Sequence, residues 1–285
     1  FPSSDVTIKE HLSYIKKDEM PIFLVDNSNY VARTSIVKSS ETINEQIKEI
    51  IETLTINSKK STYIRDGFKP IIPENTKIID LKLDNEILTI NFSKEFLTVN
   101  ETNEELMLEA LIYSLTELKE IKKIKILVEN IPFTKLPNSN KKLPEYLDKT
   151  YGINKIYNLN SLKETSKTTI YYLSKINDYY YYVPVTKVSN EKLERVEIII
   201  KELKSTPIYH TNLISYLKAS ANMTNYELLE NAISLSFNNY LIANMKEEQI
   251  LEEVKYSIAL SLRDTYGINE VIFNIPDSEN SKISI

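Results

Sequence analysis

The sequence has no cysteine, no tryptophan, three glycines and two histidines among its 285 residues. Without cysteine there is neither a disulfide framework nor thiolate chemistry, although a reducing compartment does not follow from that. Gly67, Gly152 and Gly267 stand far apart, so no phosphate-cradling loop, dinucleotide turn or Gly-x-Ser-x-Gly nucleophile elbow can be assembled. His11 and His210 show no metal-ligand spacing, and both are read as surface or locally bonded side chains, with no metal and no cofactor expected. Long apolar runs are missing as well, since none approaches the roughly 18 residues of a membrane span. Nor is there an excess of positive charge. Against 40 acidic residues stand 35 basic ones, a net charge of −5 that supplies no field for phosphate backbones, and nucleic acid is not expected as a partner. Phe1 stands where an initiator methionine would, which reads as a processed or trimmed start, so the lack of an export signal is uninformative.

What the chain does contain is written twice. Leu88-Thr89-Ile90-Asn91-Phe92 matches Ile233-Ser234-Leu235-Ser236-Phe237, both alternating apolar and polar with the period of a half-buried strand. Upstream, the helical stripe Ile47, Ile50, Ile51, Leu54 returns as Val196, Ile199, Ile200, Leu203, and Ile22-Phe23-Leu24-Val25 returns as Ile170-Tyr171-Tyr172-Leu173. Downstream, Leu106, Ala110 and Leu118 return as Ile250, Val254 and Leu262, and Ile124, Ile126, Val128 as Val271, Phe273, Ile275. Order and spacing persist through five elements, which points to a duplicated module. The shorter match of Thr150-Tyr151-Gly152-Ile153-Asn154 with Thr265-Tyr266-Gly267-Ile268-Asn269 is read as a local echo.

Each copy predicts the order ββαββαβ: an α+β fold of two tandem two-layer α/β sandwiches, with both helices on one sheet face. The hairpins fall near 22–26 with 30–37 and 169–174 with 179–188. Helices are expected near 42–56, 103–120 and 246–265, the first two opened by the Thr-x-x-Glu boxes at Thr42 and Thr102 and the last closed by Gly267. Thr89, Asn91, Ser234 and Ser236 would then mark an uncovered polar face. Residues 1–20 form a leader with the stripe Ile8, Leu12, Ile15; the first domain spans 21–130 and the second 168–285. Between them lies a linker, 131–167, broken by Pro132, Pro137 and Pro144 yet carrying Tyr146, Leu147, Ile153, Ile156 and Leu159, so it should pack partly on the first domain.

No constellation for catalysis emerges, and no enzymatic activity is expected. The acidic pairs Glu104-Glu105, Glu247-Glu248 and Glu252-Glu253 fall at helix starts or polar faces and read as solvated charge. One local feature is unusual: Tyr179-Tyr180-Tyr181-Tyr182-Val183-Pro184-Val185. Tyr179 and Tyr181 could anchor an interface or stack on sugar rings, while the plainer reading is a strand whose rings fill the core. Pro184 points to an edge or a bulge. Interface candidates are Tyr179, Tyr181, Asn91 and Ser236.

Ile72-Pro73-Glu74-Asn75-Thr76-Lys77, Leu88 to Phe96, a long helix and Ile124 to Val128 resemble the GerMN domain of the GerM family of sporulation and germination proteins. Tyr181-Tyr182-Val183-Pro184-Val185-Thr186-Lys187 resembles the hairpin and approach to the first helix of that family's second domain, so the resemblance covers about 20–285. The family's usual Gly-Pro after the first helix is replaced by Thr55-Ile56-Asn57-Ser58 and by Ser205-Thr206-Pro207. Its Asp-Gly after the last strand is replaced by Glu129-Asn130 and Asp277-Ser278. The resemblance implies a non-catalytic lipoprotein, anchored through an upstream cysteine and lying between mother-cell and forespore membranes. It further implies ring-building-motif domains that assemble with themselves or with other proteins of the channel linking the two cells. The alternative is a peptidoglycan or carbohydrate binding module.

Overall fold

The computed structural model describes residues 18–161, 163–205, 212–242, 249–276 and 280–285. The leader stripe, both histidines, Thr206-Pro207, Glu247-Glu248 and Asp277-Ser278 lie outside the described residues. Two compact units divide at Asn154 and Lys155, so that residues 131–154 belong to the first unit and 155–167 to the second.

The first unit opens with the antiparallel hairpin β1 (Glu19–Asp26) and β2 (Val31–Val37). Its turn is held by Asp26, whose carboxylate accepts the N–H groups of Ser28 at 2.8 Å and Tyr30 at 2.9 Å. Helix α1 (Ile43–Leu54) follows, and β3 (Phe68–Lys69) pairs with the end of β1. A second sheet then forms in the order β4 (Ile78–Asp84), β5 (Ile87–Phe92), β6 (Lys123–Val128), β7 (Ile131–Pro132). β5 and β6 run parallel, which requires a crossover, and helix α2 (Glu104–Leu115) supplies it. Leu88, Ile90 and Phe92 of β5 share the buried face with Ile124, Ile126 and Val128 of β6, as their alternation requires.

The second unit repeats this plan. β8 (Ile156–Asn158) lies parallel to the end of β10 (Tyr179–Ser189), which forms a long hairpin with β9 (Ser166–Ile176). After α3 (Arg195–Lys204) come β11 (Met223–Leu228), β12 (Ala232–Phe237), α4 (Glu252–Tyr266), β13 (Glu270–Asn274) and β14 (Ser281–Ser284), the four strands forming one sheet in that order.

The repetition extends to details that composition cannot produce by chance. Leu83 pairs with Leu88 and Leu88 with Ile124; Leu228 pairs with Ile233 and Ile233 with Val271. The register shift between Ile78 and Asp80 recurs between Met223 and Asn225. Val25 pairs with Lys69, and Leu173 forms the corresponding bridge with Ile214. The short echo at Gly152 and Gly267 is local, since the first follows a 3-10 turn and the second caps α4 at φ 71°.

The expected α+β fold of two tandem units holds, and three details refine it. Each unit divides its strands between two sheets, because alternation tells which way a side chain faces but not which edges bond. The threonine boxes do not close: neither N-cap residue, Thr42 or Asn103, caps its helix through its side chain. Glu45 pairs instead with Lys48 at 2.8 Å, and Asn100 accepts the N–H of Asn103 at 2.9 Å. A reciprocal glutamate bond forms instead at α3, where the N–H of Glu194 donates to Glu197 at 3.0 Å. Finally, α2 is buried on nearly all sides rather than along one stripe, because residues 131–154 cover the flank that faces away from β1.

Candidate functional site: sheet faces and the tyrosine strand

The polar face of the first four-stranded sheet carries Lys82, Thr89 and Lys125 side by side in register. Lys125 bonds Glu145 at 2.7 Å and lies 5.6 Å from the Tyr146 ring centroid, so residues 145–146 roof one end of that row. The hydrogen bond to Glu145 raises the Lys125 pKa, and the same bond lowers that of Glu145. In the second sheet the matching row is Glu227, Ser234, Ile272 and Lys282. The two faces share their geometry and differ in charge.

The four interface candidates have different fates. Asn91 is 5% exposed and spent on the fold: its amide donates to Asn130 Oδ1 at 2.8 Å, and its Oδ1 accepts the Asn130 N–H at 3.0 Å. That grip fixes a turn in which Glu129 and Asn130 both have positive φ, 50° and 66°, where the family's pattern has Asp-Gly. Ser236 is half-buried on the open face, one strand from Asn274. Tyr179 is half-buried and stacks on Tyr181, ring centroids 6.1 Å apart, while Tyr181 is 3% exposed and Tyr182 1%. Pro184 sits opposite Tyr171 well inside the hairpin. The exposed tyrosine of this region is Tyr216, which bonds Tyr180 and whose pKa is pushed up to about 12 by that bond and by burial.

Charges read as solvated turn out to hold the chain in place. Glu104, 1% exposed, accepts from the Asn138 N–H at 2.8 Å, the Ser139 N–H at 3.0 Å and the Asn138 amide at 3.1 Å. Burial works to raise its pKa, but these donors outweigh it and hold the carboxyl below the usual range. Glu105 bonds Lys141 and Tyr151, and Glu109 accepts the Asn154 N–H at 2.9 Å. One helix face thus clamps residues 138–154. The signal was available as Glu104, Glu105 and Glu109 on an otherwise apolar helix.

In the second unit Lys187 is buried among Glu202 at 2.7 Å and Glu191, which also meets Lys201 at 2.8 Å. Burial alone would lower the Lys187 pKa, yet its carboxylate partners raise it, and the bond from Lys187 lowers that of Glu191. Each shift strengthens the charged, paired form, whereas a general acid or base works with a pKa near the operating pH. Among the described residues no group of three His, Asp or Glu is placed to hold a metal ion.

Residues 14–134 match the Germane family, described as sporulation and spore germination. The chain is 26% identical to the spore germination protein GerM of Bacillus subtilis over 257 residues, covering 88% of this chain and 69% of that protein. It superimposes on the tandem GerMN domains of that organism's sporulation protein GerM with a TM-score of 0.82, at 22% identity, over 92% of both chains. The first GerMN domain of the same protein, solved alone, matches 46% of this chain at 19% identity and a TM-score of 0.43. The fold is therefore that of tandem GerMN domains. The chain is thus similar to GerM, a spore germination protein, and its residues 14–134 carry the match to the Germane family.

Proposed function

We propose that this protein is a non-catalytic assembly component of the sporulation envelope, supporting the channel complex between mother cell and forespore. It would be held outside the cytoplasm by a lipid anchor upstream of Phe1. The observation that carries this reading is the duplicated module whose four-stranded sheets each keep one polar face, set by Lys82, Thr89 and Lys125 in one copy and Glu227, Ser234 and Lys282 in the other. Faces of like geometry and different charge suit side-by-side packing of neighbours with a defined order. Perturbed groups such as Lys187 and Glu191 favour ion pairing over catalysis. Analytical ultracentrifugation with cryo-imaging should reveal self-association, or rings formed with envelope partners. A strictly monomeric protein that retains no envelope partner would overturn the assignment. Sugar stacking on Tyr179 and Tyr181 has weaker support, given the burial of Tyr181, and pull-down on cell-wall sacculi with Tyr179→Ala tests it.

A further inference from the structure

The first unit carries a groove of about 720 Å³ between α1 and β4, lined by Ile51, Glu52 and Thr55 on one side and Ile79, Asp80 and Leu81 on the other. β4 is the outer strand of its sheet. The two-residue turn at Asn85-Glu86, with φ of 48° and 62°, makes Asp84 and Ile87 a hydrogen-bonded pair. By alternation Lys82 also bonds toward β5, and the N–H and C=O groups of Leu81 and Leu83 point away from it. A helix beside an open strand edge is the setting in which extended peptides add to a sheet.

The duplicated unit has the same scaffold, with the corresponding helix and strand tied at one end. Tyr226 pairs with Leu235 as Leu81 pairs with Ile90, and burial, then the charges of Glu194 and Glu197 at the start of α3, raise its pKa. Lys204, at the end of α3, reaches Asn222 just ahead of β11 at 2.5 Å. The first unit has Leu81 in place of the tyrosine, and α1 has no basic residue in its last turn. Of the charges around the groove, Lys48 is paired with Glu45 at 2.8 Å and Lys77 lies near Glu95. Lys60, which Glu52 also feels, is bonded to Glu49 at 2.6 Å. Glu52 and Asp80 keep exposed carboxylates on opposite walls. Lys82, Asp84 and the bulge near Asp80 discourage indiscriminate pairing at the same edge.

We propose that this groove takes an extended segment of a partner protein, alternating aliphatic and basic residues, as a fifth strand beside β4. The assignment rests on the open edge and on the contrast between the copies, and it does not require the assembly role proposed above. Two synthetic octapeptides, one alternating valine with lysine and one valine with glutamate, titrated into the full isotopically labelled chain and followed by NMR, test it. The lysine peptide should shift the amides of Ile79 to Leu83 and of α1. Leu81→Tyr, which puts the second unit's residue at the equivalent position, should weaken binding at least about tenfold while leaving the melting transition in place. Glu52→Lys with Asp80→Lys should transfer the preference to the glutamate peptide. Three outcomes would overturn the proposal: no binding at millimolar concentration, shifts confined to other residues, or equal binding by Leu81→Tyr. Concentration-dependent shifts of β4 without peptide would assign the edge to a second copy of the chain and overturn it too.

Discussion

Ser114 Oγ accepts the backbone N–H of Phe23 at 2.9 Å across 91 residues, and in the second unit Ser261 Oγ accepts the N–H of Tyr171 at the same distance. Both serines are fully buried in their helices. The bonded N–H lies on the edge of β1 or β9 away from its hairpin partner, where strand pairing reaches only Val25 and Asp26 in one copy and Leu173 in the other. A helix side chain thus satisfies a strand N–H that no neighbouring strand reaches.

Removing that acceptor strands a buried donor. Ser114→Ala and Ser261→Ala are each expected to destabilise their own unit by about 1–3 kcal/mol. Urea unfolding followed by hydrogen exchange at Phe23 and Tyr171 measures both, and changes of only a few tenths would show the bonds to be dispensable.

Glu104 is the main anchor of residues 138–139. Glu104→Gln should cost about 2–3 kcal/mol, the scale of hydrogen bonds to a charged group, and should expose the segment to proteolysis near Asn138. Because its folded-state pKa is depressed, its contribution is complete above the ordinary glutamate value of about 4.3 and is lost as pH falls through the lower folded value. Acid titration of stability should therefore be shallower in the variant than in the parent.

Lys187 offers the opposite sign. Its raised pKa means that its stabilisation is full below the ordinary lysine value of about 10.4 and fades as pH climbs through the folded value. Lys187→Met leaves Glu202 and Glu191 facing an apolar side chain and should cost about 3–5 kcal/mol; adding Glu202→Leu should recover much of the loss. Thermal unfolding of the single and double variants decides, and a mild single variant would show that water already screens the pair.

With glycine scarce, asparagine takes the left-handed turns: among the described residues, eight of the eleven non-glycine residues with positive φ are asparagine, Asn57 after α1 and Asn85 among them. Glu86 is one of three glutamates in that conformation among the described residues. Glu86→Gly should stabilise the first unit by about 1 kcal/mol, since an Asn-Gly turn suits this hairpin and the Glu86 carbonyl can still accept from Lys122 at 2.8 Å. A lower melting temperature would contradict that account.

Much of the fold was legible because its main signals are periodic. The alternation at Leu88 to Phe92 and Ile233 to Phe237 identified the strands at the centre of both four-stranded sheets, and Gly267 ended α4 as a left-handed cap. The candidate site was less legible. Asn91 looked like a surface residue on a pattern that gives facing but not cover, and Tyr181 stood between an interface anchor and the plainer reading as a core ring; their burial depends on Asn130 and on the packing of a whole hairpin.

By itself, the sequence determined that one module is present twice, which chemistries its side chains cannot perform, and which residues turn inward, since these follow from composition and from periods of two and 3.6 residues. Tertiary structure alone decided where Glu104 spends its charge, which strand edges remain open, and that Leu81 borders a groove. Those outcomes depend on groups far apart in the chain meeting in space, and no local pattern encodes the partner that a buried carboxylate or an unpaired edge will find.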